Sequence, residues 1–284
     1  MSLQNAASHK EQTSRGEAVR EISEEFGMSE TVVAAANRPV WMDLGTRNME
    51  ASKRFYSELF GWTTFQDPDP DFGGYTVYQL EGKAVGGVMD LGDNPAPNSW
   101  LPYIGVSDVR ASVEAVKAAG GELLVGPMDV KTTGSMAVVK DSLGAAIGLW
   151  QPGDHPGWGV YRETSAVCWN ELHTDETDAA KRFYGEVFGW QAKVQPMPGG
   201  EYTTFSRDGA EDFAGLAELM GSPAPHWLTY IAVDDCDATV AKAKELGGTA
   251  LTGPEDIPEV GRFAVLQDTE KAAFAVLQPL PRQS

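Results

Sequence analysis

An α+β fold built from four βαβββ modules, paired into two tandem domains, is predicted by three features of the sequence. First, FYSELFGW from Phe55 returns as FYGEVFGW from Phe183, at a spacing of 183 − 55 = 128 positions, and Trp41, Asp43 and Thr46 return at that spacing as Trp169, Glu171 and Thr174. Second, the spacing falls by one in the rest of each copy, so that Trp100 matches Trp227, Gly120-Gly121 matches Gly247-Gly248, and Asp141 matches Asp268. A period this long exceeds a solenoid unit and marks duplication of a whole domain. Third, each copy runs twice through a strand, a helix and several short strands, the second time more faintly.

The elements follow in order. Residues 1–37 are polar and lie outside the repeat, so they read as a tail with one short helix near residues 20–26. The first domain spans 38–151. Its leading strand covers residues 40–44, Asn48 can cap the following helix, and Phe55, Tyr56, Leu59 and Phe60 form that helix's buried face. Gly61 ends it. The second module starts with a strand at 101–106, a helix capped by Asp108 with Val109, Val113 and Val116 on one face, and strands at 136–140 and 146–150. Residues 152–166 are rich in Gly, Pro and polar side chains and read as the linker. The second domain, 167–280, repeats the plan, with strands at 228–233, 263–266 and 274–277 and a helix capped by Asp235.

Composition narrows the function. Among 284 residues, 42% are hydrophobic and 10% aromatic, which suits two packed domains, and no apolar run approaches the roughly 20 residues of a membrane helix. The N-terminal residues carry no apolar signal core and no Arg-rich transit pattern, so a cytoplasmic protein is expected, with no membrane partner. A formal net charge of −19 opposes nucleic acid and acidic surfaces. The two cysteines, Cys168 and Cys236, occupy non-equivalent places in the repeat and suggest no disulfide. Strand alternation points Cys168 away from the Trp169 face.

The FY…LFGW segment after the first strand, WNEL followed by Thr174, HW before TYIAVDD, and DIPEVGRFAVLQD together resemble the vicinal oxygen chelate superfamily, in particular its tandem-domain glyoxalase/bleomycin-resistance-like proteins of the kind labelled hydroxylases. The resemblance covers about residues 39–279 and implies curved mixed sheets that form cups. In metal-dependent members the leading strands often begin with His and a late strand carries Glu. Matched residue by residue, this chain places Trp41, Leu101 and Gly148 at those positions in the first domain, and Trp169, Leu228 and Ala275 in the second. None can coordinate a cation, so no metal and no other cofactor is expected.

Residues two apart on a strand share a face. Trp41 and Asp43 should therefore line one cup with Tyr103 and Trp150, and Trp169, Glu171 and His173 the other with Tyr230. A carboxylate against such an apolar lining should have a raised pKa, which suits a general base. Asp43, Glu171, His173 and Tyr230 are the candidate catalytic residues, with Trp41, Tyr103, Trp150, Trp169, His226 and Arg262 as ligand-binding candidates. The carboxylates could equally hydrogen-bond loop amides or pair with an arginine, and Arg262 could meet either an acidic ligand group or Glu171. The expected partner is a small hydrophobic or aromatic molecule, bound by a monomer or homodimer. One reading is a metal-independent enzyme of isomerase, cyclase, lyase or hydroxylase-like chemistry. The alternative, permitted by the resemblance to bleomycin-resistance proteins, is a protein that sequesters a planar or cationic compound; a third is a structural role with an empty cup.

Overall fold

A computed structural model describes residues 37–197, 200–219 and 221–281. The helix expected near residues 20–26 lies outside them. The first domain runs β1 (Pro39–Thr46), α1 (Met49–Phe60), β2 (Thr63–Gln66), β3 (Thr76–Leu80), β4 (Lys83–Asp90), β5 (Ser99–Gly105), α2 (Val109–Ala118), β6 (Glu122–Val130), β7 (Gly134–Lys140) and β8 (Ala146–Pro152). The second runs β9 (Val167–His173), α3 (Thr177–Phe188), β10 (Gln191–Met197), β11 (Gly200–Ser206), β12 (Ala214–Ala217), β13 (His226–Ala232), α4 (Cys236–Glu245), β14 (Thr249–Ala250), β15 (Glu255–Ile257), β16 (Gly261–Gln267) and β17 (Ala273–Pro279).

The helix boundaries follow from local chemistry. The Asn48 side chain accepts from the Ala51 amide at the start of α1, and Gly61 ends that helix in the left-handed conformation at φ 75°. Asp108 and Asp235 cap α2 and α4 in the same way.

Each domain closes its own mixed sheet, in the order β2-β3-β4-β1-β5-β8-β7-β6 and β10-β11-β12-β9-β13-β17-β16-β14. The two modules of a half therefore pair with each other, joined by antiparallel β1–β5 and β9–β13. The helices cross over instead. Phe55 and Tyr56 of α1 pack edge-on against Phe274 of the second domain. Reciprocally, Phe183 and Tyr184 of α3 share a core with Val109, Val113 and Ile147 of the first. Burying each such Phe is worth roughly 1.5–3 kcal/mol, so neither half holds a complete core by itself.

The same exchange is repeated in polar form. Trp100 Nε1 donates to the Tyr56 hydroxyl at 2.8 Å, and that hydroxyl donates to Asp268 Oδ2 at 3.1 Å. In mirror fashion Trp227 Nε1 donates to Tyr184 at 3.0 Å, and Tyr184 donates to Asp141 at 2.9 Å. The other oxygen of each aspartate accepts turn amides, from Leu143 and Ala145 or from Glu270 and Ala272. The FY…FGW repeat and the matched aspartates are thus the two sides of one domain interface.

The linker is not loose. Trp158 N donates to Val40 O and Gly159 N to Ala84 O, with Trp158 and Val160 buried against the first sheet. No helix among the described residues is long and apolar enough to cross a membrane.

Candidate functional site

Each sheet carries one buried carboxylate at the same place on its leading strand, Asp43 on β1 and Glu171 on β9, 8% and 7% exposed. Around each stands the same frame. In the first cup Asp43 Oδ1 accepts from the Tyr75 hydroxyl at 2.6 Å and from Trp41 Nε1 at 2.9 Å, with the Tyr103 hydroxyl beside it. In the second, Glu171 Oε2 accepts from Tyr202 at 2.6 Å and Oε1 from Tyr230 at 2.7 Å, while Trp169 Nε1 donates to Tyr202 at 2.9 Å.

Tyr75 and Tyr202 were not among the sequence candidates, yet a glycine marks each of them. A Cβ on Gly87 would sit 1.9 Å from the Tyr75 hydroxyl, and one on Gly215 would sit 1.9 Å from that of Tyr202. Only a residue without a side chain lets the phenol reach its carboxylate.

The cups then diverge. His173, 4% exposed, places Nε2 2.9 Å from Glu171 Oε1, at ion-pair distance but without hydrogen-bond alignment; neither ring nitrogen has a hydrogen-bond partner, and Nδ1 has no charged neighbour at ion-pair distance either. Facing an anionic oxygen, Nε2 carries the proton in the neutral ring and leaves a lone pair on Nδ1. The His226 ring lies against His173, with centroids 5.0 Å apart and planes 13° from parallel. In the first cup Gly45 and Ser99 stand opposite each other where His173 and His226 do in the second. There the linker supplies an imidazole instead. His155 meets Trp41 edge-on at 4.4 Å and Trp150 at 5.6 Å, and its carbonyl accepts from Trp150 Nε1. Trp41, Tyr103 and Trp150 are consequently all buried, whereas Trp169 keeps part of its surface open.

The two carboxylates differ electrically. Burial pushes the Asp43 pKa above its ordinary 3.8, and the hydrogen bonds from Tyr75, Trp41 and Tyr103 only partly offset it. Burial acts on Glu171 in the same direction, but the His173 imidazole and the two tyrosines outweigh it, and the pKa lies below the ordinary 4.5. The expectation of a raised pKa is therefore corrected for Glu171. It is an ionised anchor for His173 rather than a proton acceptor near neutral pH.

Two other expectations are corrected. Arg262 lies on the outer surface and pairs with Asp237 at 2.6 Å and Asp256 at 2.9 Å, away from Glu171. Cys168 packs with Trp169 in the lining of the second cup, because the β9–β13 register slips between Val167 and Trp169 and breaks strict alternation. Burial raises its thiol pKa to about 12, so the thiolate is not a reactive form here.

The metal centre that the superfamily implies does not fit these side chains. Imidazole lone pairs lie in the ring plane, and the nearly parallel rings of His173 and His226 cannot aim both at one ion at about 2.0–2.1 Å. No group of three His, Cys, Asp or Glu among the described residues is placed to hold a cation.

Comparison with known proteins agrees with this architecture. Residues 38–149 and 169–276 each match the profile of the Glyoxalase/Bleomycin resistance protein/Dioxygenase superfamily. A Mycobacterium tuberculosis protein that carries the name of a glyoxylase, CFP32, is 40% identical over 251 residues, covering 86% of this chain and 96% of that one. The anthracycline biosynthesis protein DnrV of Streptomyces peucetius is 38% identical over 260 residues, covering 86% and 94%. Among solved structures, the 2,3-dioxygenase LapB from Pseudomonas sp. KL28 superposes with a TM-score of 0.60 at 12% identity, covering 89% of this chain and 96% of that one. The Mn(II)-bound glyoxalase from Novosphingobium aromaticivorans gives 0.57 at 14% identity, covering 87% and 86%. At such identities the structural likeness concerns the fold alone. With both halves matched and close relatives aligned along nearly their full length, the chain belongs to the glyoxalase/bleomycin resistance protein/dioxygenase superfamily.

Proposed function

We propose that the second cup is a metal-independent acid–base site that moves a proton on a planar, hydrophobic small molecule bearing a carbonyl or ionisable hydroxyl. The observation that carries this reading is the unpartnered Nδ1 of buried His173, whose opposite nitrogen rests on Glu171. A buried polar atom left unpaired costs about 1–3 kcal/mol, and a substrate hydroxyl or carbonyl would satisfy it. In this scheme His173 Nδ1 takes the proton as general base and returns it as general acid. Glu171 stabilises the imidazolium that forms, and Tyr202 and Tyr230 hold Glu171 still. The apolar lining of Leu228, Phe263 and Leu277, with the partly open Trp169, suits an aromatic ring system. That DnrV is named for anthracycline biosynthesis supports a polycyclic aromatic substrate class.

The test uses anthracycline aglycones as probes, with binding read by tryptophan quenching and turnover by mass spectrometry in heavy water. His173→Gln should lower turnover by about 10²–10⁴-fold, the usual contribution of one general acid–base group, while affinity changes only a few-fold. Equal loss of binding and turnover, or binding with no turnover in the unaltered protein, would instead assign the cup to sequestration.

A further inference from the structure

A cavity lies away from both carboxylates, where the linker passes between the domains. It has a volume of about 480 Å³, and its walls include Arg38 and Lys83 from the first domain, Tyr161 and Arg162 from the linker, and Asp212 and Phe213 from the second. The volume is within the range of small-molecule sites. On its aromatic side Tyr161 is backed face to face by Trp158, with centroids 5.1 Å apart and planes 8° from parallel.

The charges on the walls are unevenly satisfied. Arg162 is engaged, donating to Glu211 Oε2 at 2.9 Å and to the Asp212 backbone carbonyl, so that of the wall carboxylates Glu163, Glu211 and Asp212 it pairs with Glu211. Lys83 is half-buried and its ammonium makes no ion pair or hydrogen bond among the described residues. Burial lowers the pKa of Arg38, also half-buried; Tyr161 and Glu211 oppose that shift and Arg162 adds to it. In a chain of net charge −19 with only 22 lysines and arginines, three of those cations meet at one cavity. An anion beside Lys83 would pair its free ammonium. The carboxylates of Glu163 and Glu211 on the walls are exposed, while Asp212 is half-buried, so an anion on Lys83 need not displace the first two.

We infer that this cavity binds a small planar aromatic carboxylate, its ring against Tyr161 and Phe213 and its carboxylate between Lys83 and Arg38. The site is distinct from the second cup, though the two adjoin. Arg162 lines the cavity while its guanidinium lies 5.8 Å from the centre of the Trp169 ring.

The experiment is calorimetric titration of the full chain with 2-naphthoate, with 2-naphthalenemethanol as the neutral control. Saturable binding of one naphthoate per chain is expected, at least tenfold tighter than the alcohol, and Lys83→Met should weaken it by about tenfold, the usual worth of a hydrogen bond to a charged group. Val160→Trp, which adds bulk to the wall, should also weaken it, and His173→Gln should leave it unchanged. Absence of saturable binding at millimolar naphthoate, binding indifferent to Lys83→Met in a variant whose circular dichroism is unaltered, or loss of binding with His173→Gln would each overturn the inference.

Discussion

The two cups are built on one frame and are put to different ends. Both hold a carboxylate between a strand tryptophan and two tyrosines, and both depend on a glycine beneath one of those tyrosines. The first closes on itself: its aspartate meets only neutral donors, its glycine Gly148 lets Tyr103 lie flat across β8, and the linker histidine seals its indoles. The second extends the carboxylate by one methylene, sets an imidazole against it, and leaves Trp169 partly open. The lesson is that a buried carboxylate is not by itself an active site. What distinguishes the two is the neighbour with an unsatisfied nitrogen.

Substitutions in matched pairs break or sharpen that contrast. The largest difference is expected from Glu171→Gln against Asp43→Asn. Turnover should fall by about 10²-fold or more in the first and change little in the second, because only Glu171 stabilises a charged imidazole. A comparable loss in both would mean that the first cup also takes part. Next come Gly87→Ala and Gly215→Ala, each forcing a phenol off its carboxylate, with a cost of about 1–3 kcal/mol as for other overpacking changes. Urea denaturation should show both losses, and only Gly215→Ala should also lower turnover.

The interface predicts equality where the cups predict difference. Tyr56→Phe and Tyr184→Phe each strand a buried aspartate oxygen and an indole N–H, so each should cost about 1–3 kcal/mol in urea midpoint analysis. A large disparity would show that the two halves do not share the interface evenly.

Smaller effects appear in the pH dependence of stability. Glu171, with a folded pKa below 4.5, contributes stability above that value that is lost as pH falls through the folded pKa. Asp43, with a folded pKa above 3.8, does the reverse, and stability falls as pH rises from 3.8 through the folded value. Glu171→Gln should therefore remove a rise of stability with pH, and Asp43→Asn a fall. Burial pushes the pKa of His155 from 6.5 down to about 4. The unfolded chain binds a proton in that window that the folded chain does not, so stability drops as pH falls through it. His155→Gln should flatten this drop, and Trp41 fluorescence should shift red as the first cup opens.

Much of this was legible beforehand. The duplication, the helix caps at Asn48, Asp108 and Asp235, and the inward faces of β1 and β9 follow from spacing and alternation. Tyr75 and Tyr202 were missed because each lies outside the leading strands, on the approach to β3 and within β11, with only Gly87 and Gly215 as a signal. Arg262 was misread because its acidic partners, Asp237 on α4 and Asp256 on β15, are brought to it by the fold. His155 looked like linker composition, and Cys168 was placed on the wrong face because one slipped register defeats a rule based on counting by two.

The amino-acid order alone determined that there are two like domains, four modules, and one inward carboxylate in each half, since periodicity and capping act over a few residues. Only the tertiary structure decided that α1 and α3 are buried across the domain boundary, that His155 closes one cup, and that Glu171 is held ionised while Asp43 is pushed toward its neutral form. Those outcomes depend on which groups meet within a few ångströms after the chain has doubled back, and a pKa follows local burial and partners rather than position in a repeat.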